Sequence, residues 1–313
     1  MDIEDMWRSF PKTATEFEAM FPDDEACRRY LIDVRWGGRP RCGKCDREDV
    51  WELSNGRFEC RRCGHQTSVT AGTVLHKTRK PLRMWFRAIW EMSVRKNGIS
   101  AKELQRILGF GSYETAWTWM HKLRRCSRRQ DRVPLDDDVV VDESYVGATT
   151  RIHGRGTGKA LILVAAEEGG RTRLEHAAGF RETNMIGFIR RNIAPSATVT
   201  TDSLQSYTKK ALGPRTHNRL KLKQFNLKVE DPLQQCHRVA NLLKRWLLGT
   251  YHGGVSRKHL WSYLDEFSFR FNRRKTRGVG RIAARLLQQV VAVPPMTYNT
   301  IVHSPVTAQF GQA

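Results

Sequence analysis

The residues best suited to chemistry are two aspartates, a histidine and a lysine set far apart along the chain. Asp142 lies in VVVDESYVG and Asp202 ends ATVTTD; both runs are rich in β-branched residues and predict strands. His237 and Lys244 belong to QCHRVANLLKRWLLG, where Val239, Leu242, Leu243, Trp246 and Leu247 recur at helical spacing. On that helix His237, Asn241 and Lys244 fall at i, i+4 and i+7 and share one polar face that holds no carboxylate. Two strand-borne aspartates and a helix-borne third group suit two-metal phosphoryl transfer, with hard oxygen ligands for the cations. Glu143 follows Asp142 and must point to the other strand face. The run of valines before the pair does not say which of the two faces the site. Glu230 and Asp231 stand near His237 as alternative carboxylates.

A second constellation is of a different kind. Cys42 and Cys45 form one CxxC pair, Cys60 and Cys63 another, and between them VWEL and RFEC flank an Asn55-Gly56 hairpin turn. In a reducing compartment this spacing predicts four thiolates around a structural Zn2+, closed to substrate. Four thiolates complete the tetrahedron, so His65 is surplus. The rim carries Arg41, Lys44, Arg57, Arg61 and Arg62, which either touch phosphate or face solvent.

The 313 residues carry 54 Lys and Arg against 32 Asp and Glu, a formal charge of +22, spread over every segment. That balance fits a polyanionic partner, since each cation that meets a nucleic-acid phosphate releases condensed counterions. No apolar run reaches the roughly 18 residues of a spanning helix, and MDIEDMWRSF lacks a signal pattern. A cytoplasmic, nucleoid-associated protein without membrane attachment is expected.

The elements that position these groups follow in order. Two short helices are expected before residue 36, broken at Pro22, capped by Asp23 or Asp24, and packed on the ribbon. A helix beginning near Pro81 buries Trp85 and Trp90. Ser100 with Glu103 reads as a capping box; GFG then leads to a second helix starting near Ser112 or Thr115. Helix, glycine turn, helix is the helix-turn-helix pattern, with Ser112, Tyr113, Glu114, Thr115 and Thr118 toward the major groove and Trp117 and Met120 inward. DNA contacts are expected from Ser112, Tyr113, Thr115, Lys122, Arg124 and Arg125. SRRQDRVPLDDD is a linker whose three aspartates are solvated, and GRGTGK is a hairpin loop rather than a phosphate cradle. Three strands, a helix and a fourth strand follow, then a basic, loop-rich stretch over 203–232. A last amphipathic helix buries Leu260, Tyr263, Leu264, Phe267 and Phe271 and exposes Asp265 and Glu266.

The order Asp142, Asp202, His237, Lys244, closed by GTYHGGVSRKHLWSYLDEFSFRFNRR, resembles bacterial insertion-sequence transposases of the family numbered fifteen ninety-five. The resemblance covers roughly residues 20 to 280. It implies a multidomain protein: an α-helical, zinc-ribbon and helix-turn-helix N-terminal region followed by an α/β RNase H-like catalytic core. The implied boundaries are 1–72, 73–126, a linker at 127–138, a catalytic domain at 139–285 and an irregular arm at 286–313. It implies Asp142 rather than Glu143, and an Asp-Asp-His-Lys site holding Mg2+ or Mn2+ on Asp142, Asp202 and His237. Double-stranded DNA, as element ends and target, is the implied partner, with a homodimer or higher oligomer assembled on it. Two rival readings share parts of the pattern: a zinc-ribbon and helix-turn-helix regulator without catalysis, and an RNase H-like nuclease.

Overall fold

The computed structural model describes residues 9–128, 132–147, 159–221, 224 and 231–303. The chain divides into two compact units. One joins Met1–Arg129 to Lys275–Gln309; the other spans Gln130–Arg274.

In the first unit, helix α1 (Ala14–Met20) starts at Thr13, which exchanges hydrogen bonds with Glu16 in a capping box. Helix α2 (Asp24–Trp36) is capped by Asp23, whose carboxylate accepts from Ala26 N at 2.8 Å. Asp24 serves a different helix. Its two oxygens accept from Leu82 N and Arg83 N, at 3.0 and 2.9 Å, at the start of α3 (Leu82–Val94). Such an anion satisfies N–H groups that a helix start leaves unpaired. Phe10, Phe17, Phe21, Tyr30 and Phe86 form a connected aromatic core around these helices.

The ribbon is an antiparallel sheet of β1 (Val50–Glu52), β2 (Phe58–Cys60) and β3 (Gln66–Thr67). Helix α2 grips it as expected. Arg28 donates to Gly56 O at 3.0 Å and pairs with Glu52, and Trp36 meets Phe58 edge-on.

Helices α4 (Ala101–Leu108) and α5 (Tyr113–Cys126) are joined by a short turn at left-handed Gly109. Only half of the expected box at Ser100 forms. Its hydroxyl accepts from Glu103 N, while the Glu103 carboxylate turns to Arg95. Trp85 and Trp119 stack at 3.4 Å with 9° between their planes.

The C-terminal stretch differs from the expected irregular arm. It forms α10 (Gly280–Ala292), packed on α2 and α3, and α11 (Tyr298–His303). Residues 275–285, read as catalytic domain, therefore group with the ribbon unit. Regular apolar spacing through IAARLLQQVV drives this, and Gly280 lets the helix start against Phe10 and Pro11.

The second unit is a mixed five-stranded sheet of β4 (Asp138–Val146), β5 (Ala160–Glu167), β6 (Thr172–Ala177), β7 (Thr198–Thr201) and β8 (Thr216–Arg219). Its order is β6-β5-β4-β7-β8. β4, β5 and β6 run antiparallel in sequence, whereas β7 and β8 join parallel to β4. Helices α6 (Glu182–Asn192) and α7 (Lys209–Leu212) cover one face through Met185, Phe188, Ile189 and Ala211 against Val139, Val141 and Leu163. Helices α8 (Gln234–Tyr251) and α9 (Leu260–Phe271) cover the other through Cys236, Val239, Leu243, Leu264 and Phe267 against Ile162 and Val164. Both faces being covered explains why β5 reads as an unbroken apolar run.

Three details depart from expectation. β8 lies inside the stretch read as loop. Helix α8 passes through Gly249 and ends at left-handed His252. Asp265 and Glu266 are 8% and 0% exposed rather than solvated, because α9 is enclosed on all sides. The three aspartates at 136–138 are exposed, as read. Residues 154–158 of GRGTGK, and Glu230, lie outside the described residues.

Candidate active site and metal centre

The four ribbon cysteines converge. Cys42 and Cys63 sulfurs lie 3.6 Å apart, Cys45 and Cys60 3.6 Å, and Cys45 and Cys63 3.7 Å. These are far too long for disulfides. A tetrahedral zinc with Zn–S bonds of about 2.3 Å has edges of about 3.8 Å, so the donor set fits a structural Zn2+. Among the described residues, this is the one group of three or more His, Cys, Asp or Glu whose ligand atoms all lie within 4.8 Å of one another.

The second site is built on the sheet. β4 and β7 pair in parallel register, Val139 with Val199 and Val140 with Thr200. Asp142 lies two places beyond the last β4 residue paired to β7, and Asp202 follows the end of β7 at Thr201. Alternation then separates the two candidates that sequence left open. Val139 and Val141 face α6, so Asp142 faces α8 and Glu143 does not. Glu143 instead accepts from the hydroxyl of Tyr207. Burial first of all, with help from Asp142 and Asp202, pushes its carboxyl up to about 7.

Helix α8 lies over Asp142. Cys236, wholly buried, donates its thiol to Val140 O at 3.2 Å and anchors the helix to β4. The next residue, His237, is thereby placed with Nε2 3.2 Å from Asp142 Oδ2, while Nδ1 lies 2.6 Å from Asp231 Oδ2. The hydrogen bond to Asp142, opposed by partial burial and reinforced by Asp231, raises the ring to about 9. A ring so held must give up a proton before it can ligate a metal. Lys244 stands two turns along the same face, exposed, and held below its usual range by partial burial and by Lys159.

Asp202 is the outlying member. Its Oδ1 accepts from Leu204 N at 2.9 Å, and it does not close within 4.8 Å of both Asp142 and His237. By donor type, two carboxylates and an imidazole, from β4, the residue after β7 and α8, are groups that divalent cations of the Mg2+ or Mn2+ kind accept.

Comparison with known proteins follows this division of the chain. Residues 22–66 match the transposase zinc-ribbon domain, and residues 134–272 match the ISXO2-like transposase domain, both of the IS1595 group. The chain belongs to the IS1595 family of transposases. A curated relative is an uncharacterized protein in transposable element ISH50 of Halobacterium salinarum. It is 25% identical over 283 residues, covering 80% of this chain and 91% of that one. The family match spans both constellations: all four cysteines fall within the ribbon domain, and Asp142, Asp202, His237 and Lys244 within the transposase domain.

Outside that domain, the IS1595 match leaves α4 and α5 unassigned. Of the DNA contacts expected there, Tyr113 is 48% exposed, Ser112 is exposed with its hydroxyl capping α5, and Thr115 and Arg125 are half-buried. Lys122 is half-buried too, with its ammonium near the Trp85 ring. Arg124 is a correction. At 1% exposure it lies on the packed side of α5 with Met120 and Leu123, so it is not a phosphate contact in this structure. Helical spacing from Met120 and Leu123 already put it inward; its charge suggested otherwise. Sequence reasoning also passed over Asp231 as a partner of His237. The signal was an acidic residue six positions before the histidine, just ahead of the helix.

Proposed function

We propose that this chain is an insertion-sequence transposase that binds the ends of its element and cuts and rejoins DNA by metal-dependent phosphoryl transfer. The observation that supports the reading is the contact of His237, carried by α8, with Asp142 on β4 at 3.2 Å, with Asp202 following the end of parallel β7. The sheet order supports an RNase H-like core, since three antiparallel strands extended by parallel β7 and β8 is that arrangement.

In this mechanism Asp142, Asp202 and His237 hold the divalent cations, which supply Lewis acidity and a nucleophile at neutral pH. Asp231 fixes the ring of His237 through Nδ1 and leaves Nε2 directed at the site. Lys244 binds a phosphate of the strand being processed, as a point charge at the mouth. The zinc ribbon and the α4–α5 pair hold the duplex. Two copies of the chain bring two ends together.

The test is cleavage and joining of terminal-repeat duplexes. Asp142→Asn and Asp202→Asn each lose at least about a thousandfold in Mg2+- or Mn2+-dependent cutting, while end binding changes less than threefold. Retained cutting in both variants overturns the assignment. Hydrolysis without joining favours a stand-alone nuclease, and binding without any cutting by the unaltered protein favours a regulator.

A further inference from the structure

The sheet face opposite His237 holds a polar pair in an apolar setting. Tyr207 is 4% exposed, in the core that Val139, Val141 and Leu163 share with α6 and α7. There its hydroxyl donates to the carboxylate of Glu143. Replacing such a pair with apolar groups of the same shape is nearly neutral for stability, whereas burying a carboxylate is costly. What the hydrogen bond adds here is geometry: it ties the segment after β7 to β4.

Both ends of the tie lie next to proposed ligands. Glu143 shares a peptide bond with Asp142. Tyr207 N donates to Leu204 O at 3.2 Å, and Leu204 N donates to Asp202 Oδ1 at 2.9 Å. Three hydrogen bonds thus lead from the carboxylate of Asp202 to the residue beside Asp142. The need is local, since the pairing of β4 with β7 ends at Val140 and Thr200, two places before each aspartate. Strand pairing therefore does not itself set the distance between the two. Other anchors of the segment run elsewhere. Ser206 donates to Phe180 O and Thr208 to Glu182, at the start of α6, and Ser203 donates to Leu220 O beyond β8.

We infer that Tyr207 and Glu143 are positioning residues: their hydrogen bond sets the separation of the Asp142 and Asp202 carboxylates, so that both reach one divalent-cation centre. Neither residue touches metal or DNA. The inference rests on the transposase reading and adds to it what keeps its two aspartates in register. Outer partners of metal ligands are commonly worth ten- to a hundredfold in affinity, and this tie acts one step further out, so about five- to tenfold is expected.

The experiment titrates the full-length protein with Mn2+, without DNA, and reads binding from loss of the free-ion electron paramagnetic resonance signal. The site is the binding that Asp142→Asn and Asp202→Asn each remove. Tyr207→Phe, which keeps the ring and removes the donor, weakens that site about five- to tenfold. Glu143→Leu weakens it likewise, and Glu143→Gln, which keeps an acceptor for the hydroxyl, restores most of the affinity. Ile189→Ala, in the same core but away from this segment, lowers the thermal midpoint at least as much as Tyr207→Phe and leaves Mn2+ affinity unchanged. Tyr207→Phe binding Mn2+ like the unaltered protein overturns the proposal. So does Ile189→Ala weakening binding as much, since general loosening would then explain the effect. Glu143→Gln abolishing the site also overturns it, since Glu143 would then be a ligand itself. Absence of any such site removes the tie together with the ligand assignment. Cutting of terminal-repeat duplexes in Mn2+ tests the transposase reading separately. Cutting by the unaltered protein, with Tyr207→Phe equal to it in Mn2+ demand, removes the tie alone, and a Tyr207-dependent Mn2+ site in a protein that cuts nothing removes the enzyme.

Discussion

Asp231 and His237 show how much of a site can rest on one contact. With Nδ1 committed to Asp231 at 2.6 Å, the ring cannot rotate, and Nε2 is left for Asp142 or for a cation. Outer partners of this kind are commonly worth ten- to a hundredfold in metal affinity. Asp231→Asn is therefore expected to raise the Mn2+ concentration for half-maximal cutting by about tenfold, read from a metal titration. The ring's hydrogen bonds, to Asp142 first and to Asp231 second, also give a pH dependence. His237 is raised from its ordinary value of 6.5 to about 9, so the folded protein holds the proton more tightly than the unfolded chain. The stabilisation is complete below about 6.5 and disappears as pH climbs through about 9. In buffer without added Mg2+, the gap in urea midpoint between the unaltered protein and His237→Ala should be widest near pH 6 and close above pH 9. At this scale the strand that carries Asp142 and the helix that carries His237 were legible in their residue patterns. The choice between Asp142 and Glu143 was not, because three successive valines, Val139, Val140 and Val141, gave no alternation until both sheet faces were seen to be covered.

Elements were legible where their apolar spacing was regular. The α8 pattern gave the helix and its polar face, and the cysteine spacing gave the ribbon. β8 escaped because THNR has no apolar member; its place is fixed by backbone pairing to β7, which composition does not report. Helix α10 was missed for a different reason. Its spacing is regular, but the Pro-containing tail beyond it drew the boundary too early. Gly280 begins that helix where a Cβ would lie 1.7 Å from the carbonyl oxygen of Pro11. Backbone on that side cannot swing away as a flexible side chain would. Gly280→Ala is expected to cost about 1–3 kcal/mol through forced displacement, seen as a lower thermal midpoint. A change below about 0.3 kcal/mol would show that the contact is not held in solution.

Over the whole molecule, a charge of +22 sets how binding responds to salt. A protein meeting six to ten phosphates loses about 10^3- to 10^5-fold in affinity between 50 and 200 mM salt, because bound counterions return to solution at a cost that grows with salt. Loss on that scale is expected for terminal-repeat duplexes. A loss under tenfold would mean that few of the cations reach the backbone, as burial of Arg124 already shows for one of them. Charge was readable from composition alone. Which cations lie outward depended on helix packing, and so was not.

The ribbon-bearing unit takes segments from either side of the sheet unit, and this imposes an order on its birth. As the polypeptide leaves the ribosome, α2 and α3 emerge early, yet the helix that covers them is encoded after the entire sheet. For that interval the first-made unit waits with an apolar face uncovered, while the later sheet has all its strands in hand and can close first. Completion of the ribbon-bearing unit is thus postponed until the sheet unit exists, so a prematurely terminated chain leaves the earlier-made part, not the later one, unfinished.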